Sequence, residues 1–438
     1  MNPLILCLSL ACFAQEESAG QNTQDPQILL HEAVSFSKPK ERAAAAKRLI
    51  KLRGVSLHQW LEIMHDFGSF DTAEAGAHGE KIAAWVDSKK VELQIDYFVP
   101  SSYAPSKPAP LLMLLHGSGG TGAGMLRSWT RFAEQYGFLL LAPTDPKSQQ
   151  GYAFTQRERD EGLEALRWMR LHYNVDENQV HLHGVSRGGH MAWDLGVRHS
   201  DQFASLVPAI GGPTWIVSGG RNNIRLVENL SLTPIRQLQG SQDDPRLLRN
   251  LRLSFERIRA AGNDDAMLIE FPDLGHSFRT DTVDWSEFFS SHPRNPLPQK
   301  ISYSTARKHN PRRSWLWVER LDKAMDETFL IKVDPKEWQR MDTNKRANYI
   351  QNLADEQTSR IMIERTDTGA FVLQAFGVKK CSLMLPQEWI GENNKVTVTV
   401  ADKTSQLKAK PSRKVLLNDF VERFDRTFLP VAEVRIKP

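Results

Sequence analysis

Cysteine is scarce in this chain. Its 438 residues hold three, Cys7, Cys12 and Cys381, and the first two lie in an apolar run at the N-terminus. Without that run a single thiol is left, which excludes an internal disulfide framework. C-x-x-C pairs and H-E-x-x-H are also missing, so no metal site is expected. Nor is there an excess of one charge: 56 Lys+Arg stand against 52 Asp+Glu, and a net charge of +4 is too small to imply a nucleic-acid partner. Beyond the N-terminal run no long hydrophobic stretch occurs, and that run is shorter than the roughly 20 apolar residues a bilayer requires, so no membrane span is expected. Internal repeats and low-complexity tracts are absent as well. What remains is 40% hydrophobic and 25% charged, the composition of a globular protein, long enough for two or three domains.

The N-terminus, MNPLILCLSLACFAQEESAGQNTQD, is a short apolar segment ending in small residues and followed by a polar stretch. That is the shape of a secretory signal peptide, here residues 1–14 with cleavage after Ala14, although the first residues carry no Lys or Arg. A secreted or periplasmic location is therefore expected. Cys381, the thiol left after cleavage, sits in the strand-like run VKKCSLML and reads as a small buried hydrophobe.

Texture divides the rest of the chain. Residues 26–67 are helix-like, with KERAAAAKRLIKLR rich in good helix formers, and GSFDTAEAGAHGE reads as a linker. From 89 to 292, apolar strands such as LLMLL and FLLLAP alternate with amphipathic helices. This predicts an α/β unit with a mostly parallel sheet covered on both faces. PRNPLPQ marks a boundary, and 299–438 carries short alternating runs (WLWVERL, RIMIERT, KVTVTVAD) that predict a β-sandwich-like domain. Two pieces of it, PKEWQRMDTNKRANYIQNLADE and KVLLNDFVERFDRTF, read as helices. This last region holds 26 Lys+Arg against 18 Asp+Glu, which reads as a solvated basic face.

The sharpest chemical signal is Gly184-Val185-Ser186-Arg187-Gly188, a G-x-S-x-G between a predicted strand and a predicted helix. A serine there stands on a tight turn that projects its hydroxyl from the sheet, and the flanking glycines remove Cβ clashes. The helix beginning there aims its N–H groups at developing negative charge. A serine nucleophile needs a base and the base an orienting acid, in the chain order Ser, acid, His for this fold. Asp243 and Asp244 follow one predicted strand, 57 and 58 residues after Ser186, and His276 follows the last strand, 33 residues after Asp243. All sit at strand C-terminal ends, where open parallel sheets place their sites. His181 and His183 share one face of a strand, and His116, His190 and His199 read as structural too. Asp273 is only three residues from His276 and suits a turn better than an orienting role.

Residues 90–290 resemble the bacterial α/β-hydrolases grouped as predicted peptidases, feruloyl/acetyl-xylan-type esterases and polyhydroxybutyrate-depolymerase-like esterases, which share the prolyl-oligopeptidase catalytic fold. The resemblance rests on LLHGSGGTG, HGVSRGGHMAWDLG, DQFASLVPAIGG and EFPDLGHSF. It implies an α/β-hydrolase fold and a Ser186–Asp243–His276 triad, the acid falling in the G-x-x-D of Gly240-Ser241-Gln242-Asp243. It also implies an oxyanion hole formed by the backbone N–H groups of Ser118 and Arg187. Two departures stand out: the usual His-Gly before the acid is Gln239-Gly240, and the usual Val-Pro after it is Pro245-Arg246. The substrate implied is a small or polysaccharide-linked carboxylic ester, with a peptide as the alternative and no cofactor.

Two other functions are weighed. Gly117-Ser118-Gly119-Gly120-Thr121-Gly122 also matches the dinucleotide fingerprint G-x-G-x-x-G, but its acid, Asp145, lies 28 residues beyond Gly117 rather than near 20, and that reading leaves Ser186 and His276 unused. A non-catalytic carbohydrate binder would use Trp315, Trp317, Trp338 and Trp389 as stacking platforms, yet every triad position is filled. Trp129, Trp215 and Arg187 are candidates for lining the cleft.

Overall fold

The computed structural model describes residues 25–68, 70, 72–145, 154–214, 223–307, 312–326 and 334–438. The expected signal peptide and Trp215 lie outside them.

Three helices open the described chain: α1 (Pro26–Ser35), α2 (Pro39–Lys51) and α3 (Leu57–His65). Proline occupies the first helical position of α1 and α2, where its missing N–H has no partner to lose. Ser56 and Gln59 form a reciprocal capping box that starts α3.

An eight-stranded sheet follows: β1 (Gly76–Val86), β2 (Lys89–Val99), β3 (Ala109–Leu115), β4 (Leu139–Pro143), β5 (Val175–Val185), β6 (Ser205–Ala209), β7 (Ile235–Gly240) and β8 (Ala266–Phe271). Its order is β1-β2-β4-β3-β5-β6-β7-β8, antiparallel through β1, β2 and β4 and parallel from β4 onward. Helices α4 (Gly122–Tyr136), α5 (Gln156–His172), α6 (Arg187–Arg198), α7 (Pro245–Ala260) and α8 (Trp285–Ser290) connect and flank the strands. Strand order and crossovers together are those of an α/β-hydrolase. Continuous apolar runs read as strands buried on both faces, and six of the seven residues of β3 are indeed buried. Two apolar clusters, one on each face, cover the sheet.

The sheet begins earlier than residue 89, and the supposed linker contains the start of β1. Asp87 and Ser88, both at positive φ (46° and 61°), join β1 to β2 in a two-residue hairpin turn of the type that matches strand twist. The first half of β1 is solvent-exposed, so GAHGEK carries no apolar alternation to betray a strand.

The C-terminal region packs two sheets over one core. One has the order β10 (Arg312–Arg313), β11 (Leu316–Leu321), β14 (Val378–Leu385), β17 (Ala432–Ile436). The other runs β16 (Lys403–Lys408), β15 (Lys395–Val400), β13 (Phe371–Phe376), β12 (Ser359–Arg365), β9 (Lys300–Thr305). Helices α9 (Pro335–Arg340) and α10 (Thr343–Glu356) lie between β11 and β12 in the chain, and α11 (Arg413–Arg423) between β16 and β17. Cys381 is fully buried in this core, and burial pushes its thiol up to about 12. Trp315 is also fully buried, with Trp389 edge-on to it at 5.5 Å, so this pair packs the core and offers no sugar platform.

The N-terminal helices do not simply lie on the α/β unit. Leu30, Val34, Leu49, Trp60 and Met64 share a core with Leu416, Leu417, Phe420 and Phe424 of the α11 region. Arg167 of α5 ties the parts together. Its guanidinium donates to Val34 O (2.6 Å) at the end of α1, and to Val421 O and Glu422 O (both 3.1 Å) in the last turn of α11. A cation there complements two helix C-termini at once.

Candidate active site

The loops after β3, β5, β7 and β8 converge at one edge of the sheet. Ser186 follows β5 and caps α6 at φ 56°, ψ −115°, a backbone state that costs a non-glycine residue about 1–3 kcal/mol. The surroundings enforce it: Ser186 N–H donates to Ala209 O (2.8 Å) and Ser186 O accepts from His190 N–H (3.0 Å). The flanking glycines are needed for close approach. A Cβ on Gly184 would overlap the Gly188 carbonyl, and one on Gly188 would overlap Leu115 O. Because backbone cannot yield as a side-chain tip does, Gly188→Ala is expected to destabilise the α/β unit by about 3 kcal/mol or more, read as a lowered urea midpoint.

His276 Nε2 lies 2.8 Å from Ser186 Oγ, and His276 Nδ1 lies 2.8 Å from Asp243 Oδ2. The carboxylate thus fixes the proton on Nδ1 and leaves Nε2 as acceptor toward the hydroxyl. Burial opposes ionisation of Asp243, but hydrogen bonds from Asp244 N–H (2.7 Å), His276 and Gln239 outweigh it and hold its pKa below the ordinary value. Asp244 has a different task. It caps α7 through Arg246 N–H and pairs with the Arg246 guanidinium at 2.8 Å, and these hydrogen bonds hold its carboxyl at about 2. Asp273 pairs with Arg279 instead.

Gln239 places a neutral donor beside the acid. Fully buried at the end of β7, its Nε2 donates to Asp243 Oδ2 at 2.8 Å. Behind it, Gln237 Nε2 reaches Gln239 Oε1 (3.5 Å), and Trp193 Nε1 of α6 donates to Gln237 Oε1 (2.8 Å). The sequence flagged Gln239 only as a departure. The usable signal was its place four residues before Asp243, with Gln237 on the same strand face.

The glycine-rich loop backs onto the serine. Gly120 N–H donates to Gly117 O at 3.0 Å and closes a turn with Ser118 inside it. A Cβ on Gly117 would stand 3.6 Å from Ser186 Cβ. Arg187 is the first residue of α6 and directly follows Ser186. Gly122 lets α4 start against β4, where a Cβ would overlap Ala142 O. His116 is buried and bridges the loop to the end of β4: Nδ1 meets Gly117 O at 2.8 Å and Nε2 accepts from Asp145 N–H at 3.0 Å. Burial, with Arg187 nearby, lowers its pKa and keeps it neutral. The Asp145 side chain is buried in an ion pair with Arg187. Neither the dinucleotide role for Asp145 nor the cleft-lining role for the Arg187 side chain fits that pairing.

His181, His183 and His190 are structural in their contacts. His181 Nδ1 meets Ser205 Oγ (2.8 Å), and His183 Nδ1 meets Val207 O (2.6 Å). Their rings pack on Phe289 and Trp129, so Trp129 serves the core beneath α4 and not the cleft. His190 Nδ1 sits 2.6 Å from Gly212 O and braces the loop after β6. No metal-holding cluster of His, Cys, Asp and Glu occurs among the described residues.

No protein-family model matches the chain. A stretch of 109 residues is 32% identical to the "uncharacterized peptidase YtmA" of Bacillus subtilis, taking in 24% of this chain and 42% of that protein. The chain therefore spans less than half the length of this curated relative. Among solved structures, a thermostable esterase is 22% identical (49% of this chain, 63% of that one, TM-score 0.39). Esterase 2 of Thermogutta terrifontis is 18% identical (49% and 92%, TM-score 0.40). The acetyl xylan esterase of Aspergillus awamori is 14% identical (49% and 99%, TM-score 0.41).

Proposed function

We propose that this chain is a serine hydrolase that acts through an acyl-enzyme, with a carboxylic ester on a small molecule or a carbohydrate as substrate. The observation that carries the reading is the unbroken chain Ser186 Oγ–His276 Nε2 and His276 Nδ1–Asp243 Oδ2, each link 2.8 Å, on a strained strand-to-helix turn. In the proposed cycle His276 Nε2 takes the Ser186 proton as Oγ attacks the carbonyl carbon. The oxyanion lies toward the N–H groups of Ser118 and Arg187. His276 then gives its proton to the leaving oxygen, and water repeats the sequence to release the acid.

Two features support an ester over a peptide. The His276 side chain is 53% exposed, so among the described residues the site is open. The N-terminal helices have their core with α11, and that core contains no triad residue. The peptidase reading keeps one support, the name of the Bacillus subtilis relative. A panel of p-nitrophenyl esters of rising acyl length, feruloyl esters and aminoacyl amides separates the two: esters are expected to turn over faster, and a preference for amides overturns the choice. A fluorophosphonate probe is expected to phosphonylate Ser186 Oγ with loss of fluoride.

Gln239 supplies a second handle on the same site. Loss of a donor to a carboxylate is worth about 1.5–3 kcal/mol, so Gln239→Leu is expected to lower kcat about 10- to 100-fold with little change in KM. The acidic limb of the rate profile should move to higher pH, because the Asp243 carboxylate, short of one donor, holds the protonated His276 ring more strongly. An unshifted profile would reduce Gln239 to a packing residue. For location, we propose export with cleavage after Ala14, and N-terminal sequencing of the protein from an expressing cell checks it.

A further inference from the structure

A second cleft lies away from the triad, between α5, α11 and the sheet containing β11 and β17. Its volume is about 800 Å³, within the usual range for small-molecule sites, and its lining includes none of Ser118, Ser186, Arg187, Asp243 or His276. Arg170, Arg312 and Arg423 line it, Lys414 and Arg435 stand at exposed positions along it, and Trp85 and Trp317 add flat apolar surface.

Arg170 is the unusual member. It is 3% exposed, and its Nη1 donates to Gln202 Oε1 at 3.0 Å. Its Nε and Nη2 are buried and meet no acceptor among the described residues. Burial lowers its pKa only to about 10, so the guanidinium stays charged at neutral pH. A buried charge with donors unmet is costly unless something supplies the acceptors. Neighbouring guanidinium donors are in the same condition: among the described residues Arg312 Nη2 and Arg423 Nε are buried without partners, although Arg312 pairs with Asp419 and Arg423 with Asp201.

The acids of the cleft do not cancel this. Glu422 and Glu433, like Asp419 and Asp201, are each paired with an arginine. Glu177 and Asp425, the carboxylates that act on Arg170 from behind the cleft, are held by Arg426 and Arg294, and seven cationic side chains line the cleft against six carboxylates. The charge left uncompensated is positive, and guanidinium forks suit planar or tetrahedral oxyanions.

We propose that this cleft binds a compact oxyanion-bearing ligand, a carboxylate, sulfate or phosphate group received by Arg170 with Arg312 and Arg423 beside it. The site is separate from the serine site and stands whether or not the hydrolase reading does. The test is isothermal titration of the full chain at constant ionic strength in chloride, with inorganic sulfate, inorganic phosphate and trigalacturonate as separate probes. At least one is expected to bind saturably at one per chain, and the probe that binds most tightly tells a free inorganic anion from a uronic acid. Arg170→Met is expected to weaken binding at least tenfold, and Ser186→Ala to leave it unchanged. Lys414→Glu alters an exposed residue, so it folds even if Arg170→Met does not, and it is expected to weaken binding several-fold. No saturable binding of any probe overturns the proposal, as does binding that both charge variants leave intact.

Discussion

Ser186→Ala is expected to lower kcat on the best ester of the panel roughly 10⁴- to 10⁶-fold while the unfolding midpoint stays where it was. The two halves of that result have separate causes. Ser186 Oγ gives no cap to α6, and its partner is His276 Nε2, so the fold loses almost nothing with it. The reaction loses its nucleophile, and what survives is the contribution of the oxyanion donors and binding. Ser186→Gly sharpens the point. Glycine accepts φ 56° without strain, so this variant is expected to be equally inactive yet about 1 kcal/mol more stable than the parent. Urea titrations of the parent and both variants measure it. Turnover above about a hundredth of the parental rate in Ser186→Ala would sink the acyl-enzyme reading. A destabilised Ser186→Gly would mean that the turn is not under strain.

The parts of this site readable in the sequence are those where backbone geometry restricts residue type. Gly184 and Gly188 are glycines because neighbouring carbonyls occupy the space of a Cβ, and such constraints leave a local pattern. Buried parallel strands leave one too, since both faces demand apolar residues, as in β3. What escaped the sequence depends on partners far along the chain. The first half of β1 is exposed and takes its strand geometry from pairing with β2, which no local alternation announces. The helices within 26–67 were readable from their composition, but only the folded chain shows that α11 shares their core. Asp145 illustrates the same limit for a charge: its spacing argued against a ribose acid but named no partner, and Arg187, 42 residues away, holds it. Asp243 and Asp244 are adjacent and chemically identical. Their roles divide because one meets His276 and Gln239 while the other starts a helix.

Acid is expected to unfold the α/β unit well before Asp194 and Asp201 are protonated. Burial lowers the pKa of His181 to about 3 and those of His183 and His199 to about 4, and it lowers His116 and His190 as well. These rings are neutral in the folded chain, whereas the unfolded chain protonates them near pH 6.5. Between about pH 6.5 and pH 4 the unfolded state therefore holds more protons, and stability falls as pH falls. Three such groups give a slope of about 4 kcal/mol per pH unit at full effect, against a total stability on the order of 5–15 kcal/mol for a domain. Burial raises the carboxyl pKa values of Asp160, Glu161, Glu164 and Glu177, and these groups offset part of that slope, whereas Asp194 and Asp201 act in a lower window. Burial alone would raise the pKa values of Asp194 and Asp201. Their arginine partners, Arg198 and Arg159 for the first and Arg423 for the second, bring both down to about 2 instead. Their contribution is intact above pH 4 and is lost only as pH falls from there toward 2. Urea midpoints followed by circular dichroism are thus expected to be level from pH 7 to 8 and to drop steeply from pH 6.5 to 4.5. His181→Gln, which removes one of the three rings, is expected to reduce that slope by about a third. A midpoint unchanged down to pH 4.5 would mean that these histidines gain protons in the folded protein as easily as in the unfolded chain.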